Sequence, residues 1–181
     1  MPIYTKKGDR GETGLYSSDK SKNIRVGKDS FIIETIGCID EANTFLGLAT
    51  SFIKNNKLKK KVTEIQKHLF EIGAILAGAK LNLNEKLILQ MEKEIDDMDK
   101  ILPKLTHFIL PGGGMGGSLL FMARTFVRRA ERRLVLLSKK KKFDLNLIVY
   151  LNRLSDYVFT LARYSNFKEG KKEQIWMSGG K

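Results

Sequence analysis

Residues 124 to 133 read Arg-Thr-Phe-Val-Arg-Arg-Ala-Glu-Arg-Arg, a run that piles cations onto what has to be a helix. At 100° per residue, Arg124, Arg128, Glu131 and Arg132 share one face. Leu119, Ala123, Phe126, Val127, Ala130, Leu134 and Leu137 form an apolar stripe beside it. Like charges four residues apart cost about 0.2–0.5 kcal/mol per pair on an open surface. One glutamate cannot neutralise Arg124, Arg128 and Arg132 together, so the face reads as a seat for an anion from elsewhere. The planar fork of arginine suits the oxygens of a phosphate or carboxylate. A solvated basic face is the alternative, and the segment by itself leaves both open.

Three further groups could serve chemistry. The first is Thr5-Lys6-Lys7-Gly8-Asp9-Arg10-Gly11-Glu12-Thr13-Gly14. Its glycines would let backbone N–H groups turn toward phosphate oxygens, with Lys6 or Lys7 adding charge and Thr5 or Thr13 a hydroxyl. The Gly-Lys-Ser/Thr ending of a Walker A loop is absent, and a flexible terminus is the competing reading. Second, Gly37-Cys38-Ile39-Asp40-Glu41-Ala42-Asn43 sets two adjacent acids in an apolar context. Glu41 reads as solvent-exposed, whereas Asp40 could find a partner among exposed arginines. Third, Asn152, Asp156, Phe159 and Arg163 align on one helical face, beside a core stripe of Leu147, Leu151, Leu154, Val158, Leu161 and Ala162. An Asn–Asp pair there fits inter-helix hydrogen bonding as well as ligand binding. His68 and His107 have no metal-ligand spacing, and no Ser-His-Asp or Cys-His arrangement is evident. Covalent catalysis by the protein and a structural zinc site are therefore not expected.

These groups need a scaffold, and the periodicity supplies one. Residues 1–30 lack a 3.6-residue pattern and read as a polar loop carrying Gly8, Gly11, Gly14 and Gly27. Apolar-periodic segments follow from about Ile33 to Ile53, Leu58 to Ala79, Asn84 to Ile101, Ser118 to Ser138 and Leu145 to Asn166. Asn82 or Asn84 can cap the third, and Pro103 follows it. Short links and no alternating strands predict an all-α, five-helix antiparallel bundle. The chain reads as a single domain over 1–181, with an N-terminal loop (1–30), a helical bundle (31–166) and a mobile polar tail (167–181).

Bulk properties set the context. Hydrophobic content of 42% and charged content of 29% are those of a globular chain. No apolar run approaches the roughly 20 residues of a membrane span, and the first residues resemble neither a signal nor a transit peptide. The single Cys38 reads as a structural thiol in a reducing compartment. A cytoplasmic soluble protein with no membrane partner is the expectation. The net charge of +13 raises nucleic acid as a partner. Much of that excess sits in Lys59-Lys60-Lys61 and Lys139-Lys140-Lys141-Lys142, between helical segments and without interleaved aromatics. Nucleic-acid binding is not expected.

Taken together, the motifs resemble one family, the PduO-type ATP:cob(I)alamin adenosyltransferases. The resemblance runs from Tyr4-Thr5-Lys6-Lys7-Gly8-Asp9-Arg10-Gly11 through Arg25-Val26-Gly27-Lys28 and the Gly37–Asn43 segment. It continues through Phe108-Ile109-Leu110-Pro111-Gly112-Gly113 and Arg128-Arg129-Ala130-Glu131-Arg132 to Asn152-Arg153-Leu154-Ser155-Asp156. It implies a homotrimeric five-helix bundle with active sites between subunits. The implied reaction passes the 5′-deoxyadenosyl group of ATP to the cobalt of a reduced corrinoid, releasing triphosphate. The ATP site implied falls on Thr5, Lys6, Lys7, Gly8, Thr13, Gly14, Lys28, Arg128, Arg129, Glu131, Arg132 and Asn152, with Mg²⁺ expected through the phosphates. Arg128, Arg132, Asp40 and Phe108 carry the implied catalytic roles. Asp40 would pair with Arg128 across the interface, and Phe108 would be an apolar wall that displaces the lower ligand of cobalamin. A corrinoid reductase and an adenosylcobalamin-dependent acceptor are the implied protein partners. Two departures stand out: Phe121 replaces a histidine common among relatives, and residues 112–117 are unusually glycine-rich beside the corrinoid side. A non-catalytic ATP or corrinoid sensor on the same bundle is the runner-up.

Overall fold

Among the described residues, five helices arise where the sequence changes from punctuated to 3.6-periodic. The computed structural model describes residues 3–17 and 24–177. Helix α1 spans Phe31–Phe52, α2 Asn56–Ala77, α3 Lys86–Asp99, α4 Met115–Ser138 and α5 Asn146–Lys168. Their ends follow local chemistry. The Asn55 side chain accepts from Leu58 N at 3.1 Å and opens α2. Gly78, left-handed at φ 112°, closes it while Ala79 N reaches back to Ala74 O at 2.9 Å. Asn84, one of the two candidate caps, accepts from Lys86 N at 3.1 Å.

Ion pairs and side-chain contacts give the helix directions. Arg129 pairs with Glu41 and Arg133 with Glu34, so α1 and α4 run antiparallel. Asn152 on Glu131 and Phe159 on Phe121 make α4 and α5 antiparallel as well. Helix α3 lies along α5 in the same direction, because Asn146 meets Glu85, Arg153 meets Glu92 and Tyr157 meets Glu94. Alternation up and down the bundle produces this, since the connector after α3 stays at one end, where the last turns of α5 meet Asp99, Pro103 and Gly114. The core stripe expected on α5 is buried throughout, as are Ala123, Val127, Ala130, Leu134 and Leu137 on α4. A polar cluster ties α2 and α3 to α5. The buried Tyr150 hydroxyl lies 3.0 Å from His68 Nδ1, and Glu94 takes both Tyr157 and Lys61. Burial raises both phenols and lowers the His68 imidazole from their ordinary values, which keeps all three neutral.

Two expectations are corrected. The head is not a featureless loop: β1 (Glu12–Gly14) pairs antiparallel with β2 (Arg25–Gly27), and Leu15 and Val26 pack on the core. Strands of three residues are too short to show alternation. The described part of the tail is likewise built into the fold. Helix α5 continues to Lys168, and β4 (Gln174–Ile175) pairs with β3 (Ile109–Leu110). The connector supplies the partner strand, which no local pattern in the tail reveals. The last residues of the tail expectation, 178–181, lie outside the described residues.

The glycine-rich run has a packing explanation. Asn166, 4% exposed, accepts from Gly114 N at 3.0 Å and donates to Gly112 O at 2.7 Å, capping the start of α4 from the end of α5. A Cβ at Gly117 would lie 2.1 Å from Asn166 Oδ1, and at the left-handed Gly113 (φ +112°) 2.4 Å from its Nδ2. Gly117→Ala is therefore expected to lower stability by about 1–3 kcal/mol, as overpacking does. Thermal melting checks this, and an unchanged midpoint contradicts it.

Candidate functional site

On α4 the arginines divide into two sets. Arg129 and Arg133 face α1 and are paired there, Arg129 with Glu41 and Arg133 with Glu34 at 3.4 Å. Glu41 is thus an ion-pair partner rather than a free surface acid. Arg129, also expected at the ATP site, is paired with Glu41 in the single chain and stacks over Phe126, 5.3 Å from the ring centroid. One residue of offset is 100° of rotation, enough to leave the anion-facing column. Arg124, Arg128 and Arg132 form that column, and none has a carboxylate within 4 Å among the described residues. Arg128 and Arg132 are exposed. Burial pushes the Arg124 guanidinium below its ordinary value, neighbouring Arg128 pushes it the same way, and Asp156 opposes both. Positive charge therefore accumulates here without an internal counterion. Glu131 makes no ion pair with the column among the described residues; it accepts from Asn152 Nδ2 at 2.8 Å and so positions that amide beside the column.

The head contributes a second cationic group. Its turn is closed by Gly11 N on Gly8 O (3.2 Å) and Lys28 N on Gly11 O (2.8 Å). The Lys28 ammonium packs on Gly8, where an added Cβ would sit 3.1 Å from Nζ. Any side chain at Gly8 would displace that ammonium. Arg25 holds Lys7 O at 2.7 Å, and Thr13 pairs with Val26 across the hairpin. Lys6 takes a positive φ of 56°, and its ammonium lies 5.9 Å from the Tyr4 ring centroid. Thr5, Lys6, Lys7, Gly14 and Lys28 are all exposed. The fold thus brings Gly8, Thr13, Gly14 and Lys28 onto one hairpin. No hydrogen bond or ion pair among the described residues joins this hairpin to Arg128, Arg132 or Asn152 within one chain. Asp40 is also exposed and unpaired with Arg128 in the single chain.

Beyond the Arg124 end of the column opens a cleft of about 1050 Å³. Phe108, Phe121, Met122 and Phe159 give it apolar surface, while Arg124 and Asp156 join it to the cationic face. Phe121 is buried against Phe159 with ring centroids 5.7 Å apart, so the floor there is aromatic and carries no imidazole. The Arg124 guanidinium also lies over the Phe159 ring, 5.2 Å from its centroid. Pro111 and Ser118 reach the cleft, but residues 112–117 do not line it; Gly112, Gly113, Gly114 and Gly117 meet Asn166, and Gly116 packs against Ile53. Phe108 is 80% exposed and sits at the rim. Its held contacts are to the tail, where Trp176 N donates to Phe108 O at 2.8 Å and the rings meet edge-on at 6.5 Å.

Sequence reasoning missed three contributors. Trp176 lay in a segment read as mobile, although a lone tryptophan in a polar tail was a usable signal. Asn166 appeared only as a helix end. Arg163 was aligned with Asn152 and Asp156, yet it is 3% exposed and grips Glu173 at 2.6 Å. Among the described residues no cluster of three His, Cys, Asp or Glu side chains converges as a metal site. No helix among them is long and apolar enough to cross a membrane.

Comparison with known proteins bears on the same surfaces. The sequence profile of the family described as "Cobalamin adenosyltransferase" matches residues 3–165. A corrinoid adenosyltransferase of Bacillus subtilis is 41% identical over 178 residues, covering 94% of this chain and 89% of that protein. One from Bos taurus is 38% identical over 186 residues, covering 96% of this chain and 75% of its own length. A solved structure of a variant PduO-type ATP:corrinoid adenosyltransferase from Lactobacillus reuteri, complexed with cobalamin and ATP, superposes with TM-score 0.91. The two share 31% identity, over 98% of this chain and 100% of the other.

Proposed function

The chain belongs to the cobalamin adenosyltransferase family, and from that footing we propose how its own residues transfer the 5′-deoxyadenosyl group of ATP to a reduced corrinoid. The observation that carries the reading is the uncompensated arginine column opening directly onto an aromatic cleft. One surface suits a polyanion and the other a large, flat, apolar macrocycle. ATP and cobalamin bound together in the Lactobacillus reuteri protein support the pairing of those two ligands.

In this mechanism Co(I) supplies the nucleophilic electron pair. It attacks C5′ of ATP, a Co–C bond forms, and the C5′–O bond breaks with its electrons leaving on triphosphate. No side chain has to act as base or nucleophile. Arg128, Arg132, Lys6 and Lys28 stabilise charge growing on the leaving group, and Asn152, oriented by Glu131, positions the nucleotide. Thr5, Lys7, Gly8, Thr13 and Gly14 line the phosphates with hydroxyl and backbone donors. Mg²⁺ would be held mainly through the phosphates, since no cluster of three His, Cys, Asp or Glu side chains converges among the described residues. It would partly neutralise triphosphate charge. Phe108 forms the apolar wall that excludes the lower ligand of cobalamin, which makes Co(II) easier to reduce.

We further propose that the protein works as a cytoplasmic homotrimer, supplied by a corrinoid reductase and serving an adenosylcobalamin-dependent enzyme. The separation of hairpin and arginine column within one chain supports a site completed between copies. Asp40 of one copy would then face Arg128 of the next. Asp40→Asn is expected to lower turnover more than ATP affinity. Exchange of the charges, Asp40→Arg with Arg128→Asp, should recover part of the loss. Strictly additive effects in that cycle, or a monomeric mass by light scattering, would contradict the shared site.

A further inference from the structure

We propose that buried Arg163 is a positioning residue for the reduction step, holding Phe108 in place through Glu173 and the tail. The inference rests on the reading of Phe108 as the wall that excludes the lower ligand. Phe108 cannot hold itself, because at 80% exposure it has little packing from the helices. Its place depends on the backbone that carries it, and that backbone is tied down at two points. At one, Arg163 Nη2 donates to Pro103 O at 2.6 Å, anchoring the start of the connector. At the other, β3 pairs with β4, and Trp176 N holds Phe108 O.

Both ties lead to the same side chain. Arg163 Nε donates to Glu173 Oε1 at 2.6 Å, one residue before β4 begins, and Nη2 lies 3.3 Å from Glu173 Oε2. Nη1 faces Asp99 at the end of α3 at 3.6 Å. A guanidinium only 3% exposed thus joins three segments distant in sequence: the end of α3, the connector and the tail. An isolated buried charge would be disfavoured, and its fork is satisfied only while all three are in place. Arg163 and Phe108 also line the same cleft. Loosening Glu173 frees β4, and with β4 the contacts that aim Phe108. The phosphate face on α4 has no part in this chain of contacts, so ATP handling is separable from it.

The test compares two reactions of full-length Glu173→Gln with those of the unaltered protein. Adenosylation from Co(II) under a mild reductant is expected to fall at least about tenfold, while transfer from preformed Co(I) stays within about threefold. The electron paramagnetic resonance spectrum of bound Co(II) cobalamin should regain the signature of its lower nitrogen ligand. A purely structural role would lower both reactions together and leave that spectrum unchanged, and this result overturns the proposal. Should Glu173→Gln fail to fold, Glu173→Asp, which keeps the charge and shortens its reach, is judged by the same two outcomes. If Phe108→Ala itself reduces Co(II) normally, nothing remains to be positioned and the proposal falls. Absence of any product from Co(I) with the unaltered protein is a different failure, that of the transferase reading.

Discussion

Phe108→Ala is expected to leave ATP affinity and thermal melting near those of the unaltered protein while adenosylation starting from Co(II) collapses. The side chain is 80% exposed, so its removal creates no core cavity. It lies at the rim of the cleft and away from Arg128 and Arg132, so the phosphate face keeps its geometry. What is lost is the apolar wall. With the lower ligand able to return, Co(II) is harder to reduce, and a mild reductant no longer delivers Co(I). Each 1.36 kcal/mol of added barrier is about tenfold in rate, so a loss well beyond tenfold is expected in that assay. Reaction with preformed Co(I) bypasses the step and should largely survive. Equal loss in both assays, or an unfolded variant, would return Phe108 to a packing role.

Arg132→Ala addresses the opposite half of the site. Charge-assisted hydrogen bonds are worth about 1.5–3 kcal/mol, so removing this guanidinium should cost roughly ten- to a hundredfold in use of ATP. Helix stability should barely move, because Arg132 has no carboxylate partner to lose and its repulsion with Arg128, about 0.2–0.5 kcal/mol, is relieved. That combination, impaired chemistry with unchanged melting, separates a binding arginine from a structural one. Arg129→Ala provides the contrast, since it breaks the pair with Glu41 and strands a carboxylate at the α1–α4 contact. Unaltered ATP kinetics in Arg132→Ala would remove the arginine column from the site.

The helices and the arginine column were legible because both follow from periodicity. A residue every 100° places Arg124, Arg128 and Arg132 in line whatever the rest of the chain does. The same rule turns Arg129 toward α1, where it meets Glu41, while the resemblance counts it among the ATP residues. What was not legible depends on pairing between distant segments. Ile109 meets Ile175 and Leu110 meets Gln174, two-residue strands with no signature of their own. The fate of the tail, and with it the support of Phe108, could not be read from either segment alone. Glycines 112 to 117 pose a similar problem. A run of glycine signals that something approaches closely, but only the fold shows that it is the Asn166 amide from the end of α5. Arg163 has the plainest lesson. On a helical wheel it shares a face with exposed Asn152 and Asp156, yet two turns beyond Asp156 it lies beneath the tail and out of solvent.

The central claim is that these two surfaces together pass a 5′-deoxyadenosyl group from ATP to cobalt. The most direct measurement is the absorption spectrum after anaerobic incubation of the protein with ATP, Mg²⁺ and chemically reduced cobalamin. The spectrum of adenosylcobalamin, reverting on exposure to light and accompanied by free triphosphate, is the result expected. A corrinoid spectrum indifferent to ATP, or ATP bound and recovered intact beside Co(I), would contradict it.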